Sequence, residues 1–151
     1  AAKGNPVVAC IIAQTPYSLG YIGSEYAFAQ KIPCASVINA QGEAVLPDTK
    51  SISAAAGEIP QDTRCSITNA DAPGAYPISC FTWLLIYKEQ DYSSRSEAQA
   101  KATLELMKYI LSDSIQQTTE AVHYAPLPKK AVELSLNNLK EVTYKGQPVL
   151  K

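Results

Sequence analysis

The sequence is poor in the residues on which most active sites and nucleic-acid interfaces depend. Its 151 residues include one histidine, and charged residues make up 18% of the chain. The formal net charge is −1, and the basic residues are scattered apart from the Lys129-Lys130 pair. A nucleic-acid-binding surface requires a concentrated basic patch. We therefore expect no nucleic-acid partner.

Long apolar runs are also missing. The longest are Val7–Ala13 and Cys80–Tyr87, far shorter than the roughly 20 residues that a helix needs to cross a bilayer. The apolar fraction of 46% is that of an ordinary globular chain. The length suits either one domain with a real core or one half of a two-lobed protein.

The four cysteines are spaced in a way that excludes common metal sites. They form no CxxC, and with the single His123 they offer no zinc-like spacing, so neither a metal nor a cofactor is expected. Cys10 and Cys80 lie inside apolar runs, which predicts small buried side chains. Cys34 and Cys65 lie in loop-like stretches, and their thiols can pair in an oxidising compartment. The disulfide state stays open at this stage.

The sequence shows no familiar catalytic pattern. A cysteine nucleophile requires a base that a third group orients, and His123 is the only imidazole. No G-x-S-x-G and no distinct carboxylate pair occur. We assign no catalytic residue and expect a protein that is not an enzyme. A cysteine-dependent hydrolase would require Cys34 or Cys65 beside His123 in a pocket.

Apolar spacing and helix-capping residues predict the secondary structure. A first helix, capped by Asn5 and apolar on most sides, is expected to be largely buried. Ser24 is the expected cap of the second helix. Helices are predicted over 6–14, 25–31, 49–57, 96–118 and 128–139; strands over 18–22, 35–39, 44–46 and 76–87; an irregular connection over 60–74; and a turn or short hairpin in the tail.

The most distinctive stretch runs from Tyr76 to Tyr87. It is apolar without polar alternation, which predicts a strand that is covered on both faces, as in the centre of an α/β sheet. Phe81 and Trp83 are expected to pack in the core, whereas Tyr76 is placed to line a cleft.

Five segments follow one another along the chain: Lys3–Asn5, Thr15–Ala27, Asn39–Pro47, Ala75–Lys88 and Tyr124–Pro128. In this order they resemble the PstS-type phosphate-binding proteins of high-affinity ABC importers. That family has a K-G-N helix start, a T-P-x-S-I-G-Y-x-x-x-x-Y-A block, an N-x-x-G-x-x-V-x-P hairpin, a long apolar strand and a proline-rich approach to its final helix. Each motif alone is weak, but the ordered set covers essentially the whole chain.

The resemblance implies an α/β fold of the periplasmic-binding-protein type II class, with this chain as its C-terminal half only. Residues 1–69 would be the C-terminal part of the second lobe, 70–77 a crossover, and 78–151 the C-terminal part of the first lobe. The implied function is binding of inorganic phosphate for ABC-type import, in the periplasm or associated with the cell envelope. The implied partners are inorganic phosphate, the importer's membrane permease, and either a missing N-terminal half or another copy of the chain.

The family's phosphate ligands precede its K-G-N helix, and no stretch here matches them. This chain would therefore be a scaffold half whose phosphate-binding residues stay unassigned. The weak cleft-proximal candidates are Gly23, Ser24 and Tyr76. The strand–turn–helix pattern of Gly20–Ser24 suits an anion, although a tight turn with a helix cap explains the same residues. The alternative function is a stand-alone envelope sensor or interaction module, in which the 76–87 strand would pair fully within the chain.

Overall fold

Helices and two small hairpins follow one another along the part of the chain that the computed structural model describes, residues 2–57, 59–61 and 63–150. The chain is mixed helix and strand, as predicted. In chain order the elements are α1 (Asn5–Gln14), α2 (Ser24–Gln30), β1 (Val37–Ile38), β2 (Ala44–Val45), α3 (Thr49–Ala54), α4 (Glu97–Ile110), α5 (Asp113–Gln116), a 3-10 helix (Thr119–Val122), α6 (Lys129–Lys140), β3 (Thr143–Tyr144) and β4 (Gln147–Pro148).

Helix α1 begins where the sequence predicts, but its cap and its burial differ from the prediction. Gly4, with φ of 79°, is the N-cap, and Asn5 lies inside the helix. Glycine takes this left-handed φ without the steric cost that other residues have. Val7 and Ile11 are each 45% exposed, and Cys10 is exposed as well. The predictions of an Asn5 cap, a largely buried helix and a buried Cys10 are therefore wrong.

The 18–22 stretch belongs to no helix or strand of the described chain. One side of it lies on α1, because a Cβ on Gly20 would meet the side chains of Ile12 and Val8. The prediction of a strand is wrong because nothing in the described residues pairs with its backbone. A strand is defined by that ladder and not by its own extended shape.

The β1–β2 hairpin and helix α3 form as predicted. Val37 lies opposite Val45 in the antiparallel register. Asp48 caps α3, since its carboxylate accepts from the Ser51 amide at 2.7 Å, and the Ser51 hydroxyl accepts from the Asp48 amide at 2.9 Å. This reciprocal capping box satisfies two backbone donors that the first turn leaves free.

The 76–87 segment is the largest departure from the sequence prediction. It belongs to no strand and has no ladder in the described chain, and most of its side chains lie at the surface, among them the exposed Cys80. Phe81 packs partly on one core cluster and meets Trp83 edge-on at 5.4 Å between ring centroids. Trp83 remains 47% exposed. The predicted two-sided burial of this strand, including Cys80 and Trp83, is therefore wrong.

The long C-terminal helix is shorter than predicted and ends at Ile110. The Ser112 carbonyl accepts from the Ile115 amide at 3.0 Å and from the Gln116 amide at 2.9 Å, and this starts α5. Leu104, Met107, Leu111 and Ile115 recur at helical spacing, which predicts a core stripe, and Leu104 at its start is fully buried. Met107 and Leu111 pack against the same cluster.

Two clusters form the core. The first contains Ala55, Ala56, Ile67 and Ala75, and the second contains Leu104, Leu139 and Val142 from α4, α6 and the tail. Among the described residues, the only large side chains with less than 2% exposure are Leu104 and Gln90. A core this rich in alanine buries little apolar area, so each large buried side chain carries much of the stability.

The Glu89 carboxylate fixes the C-terminal β3–β4 hairpin. It accepts from the Asp91 amide at 3.0 Å, the Lys145 amide at 2.9 Å, the Thr143 hydroxyl at 2.8 Å and the Gly146 amide at 3.1 Å. The Asp91 amide contributes most, and the Thr143 hydroxyl next, to holding the pKa of this carboxyl at about 2. Hydrogen bonds to the ionised form favour that form.

We expect the hairpin to stay docked well below the pH at which glutamate ordinarily titrates. A lowered pKa contributes stability above the unfolded-state value, and this contribution is lost as pH falls through about 2. The Gly146 amide shift should therefore titrate with a midpoint near that pH in NMR spectra. Glu89→Gln should remove the step and speed hydrogen exchange at Lys145, whereas Glu97→Gln, at the exposed start of α4, should change neither. A midpoint in the ordinary glutamate range would contradict the assignment.

Candidate functional site

A polar network joins the β1–β2 hairpin to the 70–77 segment; we call it the junction, made of Asn39, Glu43, Gly74 and Ala75. Asn39 is only 5% exposed. Its Nδ2 donates to the Glu43 carboxylate at 2.9 Å and to the Ala75 carbonyl at 3.2 Å. Its Oδ1 accepts from the Gln41 amide at 3.0 Å and the Glu43 amide at 2.9 Å. Both donor and both acceptor positions of this buried side-chain amide are therefore used, by backbone groups and by the Glu43 carboxylate.

Glu43 completes the junction from the exposed side. Its carboxylate accepts from the Gly74 amide at 2.6 Å, and the Gln41 side chain donates to the Asp71 carboxylate nearby. The Asn39 amide first, and the Gly74 amide second, hold the pKa of Glu43 below its usual value. The junction therefore anchors the 70–77 segment on the hairpin through an ionised carboxylate.

A shallow groove of about 510 Å³ lies beside the junction. Its lining includes Glu43, Asp48, Lys50, Ser51 and Gly74. Two carboxylates against one ammonium give it a negative balance, and like charges repel. The groove is therefore poorly suited to an anion.

Tyr76 follows the junction directly. Its amide donates to the Ser51 carbonyl at 2.9 Å, which ties it to α3. Burial first, and the electrostatic interaction with Cys34 second, raise the pKa of the Tyr76 hydroxyl. Within the described chain, Tyr76 forms no hydrogen bond with Gly23 or Ser24. The structure therefore does not join the three cleft-proximal candidates into one hydrogen-bonded site.

Gly23 is the N-cap of α2, and Ser24 is the first helical residue. The prediction of a Ser24 cap is therefore displaced by one residue. The Glu25 carboxylate occupies the space that a Cβ on Gly23 would need. A side-chain anion thus already lies at the start of this short helix, where the dipole would favour one. An incoming phosphate would meet that charge.

A second groove, of about 550 Å³, surrounds Arg95 at the start of α4. The guanidinium donates to the Tyr92 hydroxyl at 3.0 Å and to the Gln99 carbonyl at 3.0 Å, and also to the Thr103 hydroxyl. It also lies over the Tyr92 ring, 5.5 Å from the centroid. Arg95 therefore ties the start of α4 to the preceding turn and is not free to hold a phosphate in two-point fashion.

The cysteines and the histidine do not form a catalytic group. All four thiols are free, and the Cys34 thiol contacts the Ile32 carbonyl at 3.6 Å. The His123 ring meets Phe28 edge-on at 6.0 Å between centroids, and neither groove is lined by a cysteine or a histidine. A cysteine-dependent hydrolase would need Cys34 or Cys65 beside His123 in a pocket, and neither groove provides that arrangement. The described residues hold no group of three or more metal-ligating side chains.

No helix within the described residues is both long and apolar enough to pass through a bilayer.

The chain is similar to several proteins named phosphate-binding protein PstS. The Methanocaldococcus jannaschii protein is 33% identical over 91% of this chain and 38% of its own length. The Xylella fastidiosa strain Temecula1 protein is 35% identical over 87% of this chain and 36% of its own length. The Pasteurella multocida protein is 26% identical over 87% of this chain and 38% of its own length. This chain therefore spans less than two fifths of the length of the curated relatives it matches. No protein-family model matches it.

These similarities first define a class of protein, the proteins with the periplasmic-binding-protein fold. The mixed helices and strands of this chain agree with that fold. More particularly, the chain is PstS-like, and its similarity extends over part of each such protein. The resemblance predicted from its five motifs is confirmed.

Proposed function

We propose that this chain is the C-terminal half of a binding protein that delivers inorganic phosphate to an ABC importer. The observation that carries the proposal is similarity across 91% of the chain to a protein named for phosphate binding. Its location would be the periplasm or the cell envelope, and its partners would be phosphate and the importer's membrane permease. The role is binding and not catalysis.

In this proposal residues 1–69 complete the second lobe, 70–77 cross between the lobes, and 78–151 complete the first. The junction supports this division, because it anchors the crossover on the β1–β2 hairpin through Asn39 and Glu43. Hinge closure over a ligand requires that each lobe move as a rigid body, and the junction holds the crossover to the part formed by residues 1–69. The chain would therefore act as a scaffold, with the principal phosphate ligands outside it.

The electrostatics of the described surface agree with such a scaffold role. The groove beside the junction carries Glu43 and Asp48, the start of α2 is occupied by Glu25, and Arg95 is already hydrogen-bonded. Gly23, Ser24 and Tyr76 therefore stay as proposed neighbours of the cleft and not as its ligands. A stand-alone sensor module is less well supported, because it required 76–87 to pair within the chain.

Inorganic phosphate titrated into this chain alone is expected to give no saturable heat in calorimetry and no NMR shift change at Ser24. Titration into the chain co-purified with the remainder of a PstS-like protein should give one site per complex. Glu25→Gln in the chain alone tests whether that carboxylate merely masks a site, and it should leave the result unchanged. Micromolar binding by the chain alone would overturn the scaffold role.

A further inference from the structure

Two elements that lie far apart along the chain contact each other at α2. The partner of α2 is the turn that ends the 3-10 helix, made of His123 and Tyr124. The Phe28 ring meets the His123 ring edge-on, with 6.0 Å between the ring centroids. An edge-to-face pair of rings at this separation attracts beyond the apolar area that it buries. The turn therefore packs on α2 through a specific ring contact.

A second contact joins the same turn to the first turn of α2. Glu25 is half-buried, and its carboxylate lies against Gly23. A carboxylate that is partly withdrawn from water requires hydrogen-bond donors, and the Tyr124 hydroxyl is such a donor. Burial first, then the charge of Glu25 and the hydrogen bond to its carboxylate, raise the pKa of Tyr124. This contact therefore lies beside the cleft-proximal candidates.

The backbone of the turn has a conformation that most residues avoid. His123 has a φ of 64°, in the left-handed region that is uncommon for residues other than glycine. Its amide donates to the Glu120 carbonyl, and the Tyr124 amide donates to the Thr119 carbonyl, each at 3.0 Å. Such a conformation persists only where the surrounding structure fixes it. Both side chains that contact α2 therefore come from one tightly fixed turn.

A third contact lies away from α2 and joins the same two parts of the chain. The Asn138 side chain on α6 donates to the Thr63 hydroxyl at 3.5 Å. A hydrogen bond of this length is weak, so it plays only a supporting role. In the proposed division, α2 and Thr63 belong to residues 1–69, whereas Asn138 and the turn belong to residues 78–151. All three contacts therefore bridge the two lobes without using the crossover.

We propose that His123 and Tyr124, with Phe28 and Glu25 of α2, form a latch that holds the two lobes together. This inference rests on the proposed function, because it takes the two parts of the chain as pieces of different lobes. Lobes on a hinge interconvert between open and closed forms. A contact that exists in only one form shifts the population toward that form. Since the latch bridges the lobes beside the cleft, it favours the closed form.

The latch would regulate ligand binding in the complete protein without touching the ligand. The apparent affinity of a ligand that requires the closed form is reduced by the fraction of free protein that is closed. A single ring pair or hydrogen bond changes such an equilibrium about two- to tenfold. The four side chains are therefore positioning residues, and loss of either contact should weaken phosphate binding by no more than about tenfold.

The test measures the distance between the two parts of this chain. Spin labels are placed at Cys10 on α1 and at a cysteine introduced by Leu106→Cys on α4, both exposed positions, and the other three cysteines are changed to serine. Double electron–electron resonance should give one main distance. Tyr124→Phe and His123→Asn should each raise the population of a second, longer distance about two- to tenfold. Asparagine tolerates the left-handed region, so His123→Asn removes the ring without straining the turn.

A double-mutant cycle tests the contact between positions 25 and 124. Combining Glu25→Ala with Tyr124→Phe should have no more effect than the stronger single change, because both remove the same contact. Glu25→Ala should also lower the pKa of Tyr124 toward its ordinary value in an NMR titration, since the charge and hydrogen bond of Glu25 help to raise it. Tyr109→Phe is the matched control, because Tyr109 is 59% exposed on α4. It should leave the distance unchanged.

Each outcome decides one question. Unchanged distances in both latch variants, or additive effects at positions 25 and 124, would overturn the latch. A longer distance accompanied by loss of the helical circular dichroism signal would show that the turn serves folding, and it would overturn the latch as well. If the chain co-purified with the remainder of a PstS-like protein binds no inorganic phosphate, a latch found in the chain alone stands as a contact between its two parts, and the phosphate function is removed. Phosphate binding that Tyr124→Phe leaves unweakened would overturn the regulatory role.

Discussion

Leu104→Ala is expected to lower the free energy of unfolding by about 2–5 kcal/mol. Leu104 is fully buried at the centre of the cluster that joins α4, α6 and the tail. Removal of its methyl groups costs their transfer free energy and leaves a cavity that the backbone cannot fill. Domains have a total stability of only about 5–15 kcal/mol, so a chain with so few large buried side chains should unfold in large part.

The matched control is Leu106→Ala, two residues along the same helix, where the side chain is 53% exposed. It makes the same chemical change and should alter stability by no more than about 0.5 kcal/mol. Leu104→Met, which conserves volume, should cost less than about 1.5 kcal/mol. Urea denaturation followed by circular dichroism compares the three. Equal effects at positions 104 and 106 would show that α4 does not pack as described.

Asn39→Ala is expected to cost about 1–3 kcal/mol, because it leaves the buried Ala75 carbonyl unsatisfied at the junction. The Ala75 carbonyl loses its donor, and the Gln41 and Glu43 amides lose their acceptor. The pKa of Glu43 should rise toward its ordinary value, since the Asn39 amide is the largest cause of its depression. NMR titration of the Glu43 carboxyl, together with urea denaturation, measures both effects.

Asn39→Asp separates the acceptor role of this side chain from its donor role. It keeps an oxygen to accept from the Gln41 and Glu43 amides, but it removes the donor to Ala75 and puts a second carboxylate beside Glu43. Like charges at this distance disfavour each other's ionised form, so we expect destabilisation at neutral pH and partial recovery as one carboxyl protonates. Asn137→Ala is the control, because Asn137 lies exposed on α6 and its side chain accepts from Lys140. A loss as large at position 137 would contradict the special role of the junction.

The sequence by itself determined the features that depend on neighbours along the chain. Caps and turn residues act over three or four positions, so the predicted starts of α3 and α4 and the predicted β1–β2 turn agree with the structure to within one residue. The apolar stripe through Leu104 was likewise legible, because helical spacing places those residues on one face. Five ordered motifs also gave the PstS-like resemblance that the relatives confirm.

Only the tertiary structure decided what covers each element. Apolar composition predicted burial for α1 and for 76–87, yet Ile11 and Leu85 are exposed, because burial requires a partner surface and backbone pairing requires a second strand. The same holds for the site candidates: Gly23 and Ser24 suited an anion by pattern, but the Glu25 carboxylate already lies against Gly23. No sequence pattern predicted the junction as a network, because Asn39 and Ala75 are 36 residues apart along the chain. Contacts between such distant positions follow from the fold alone.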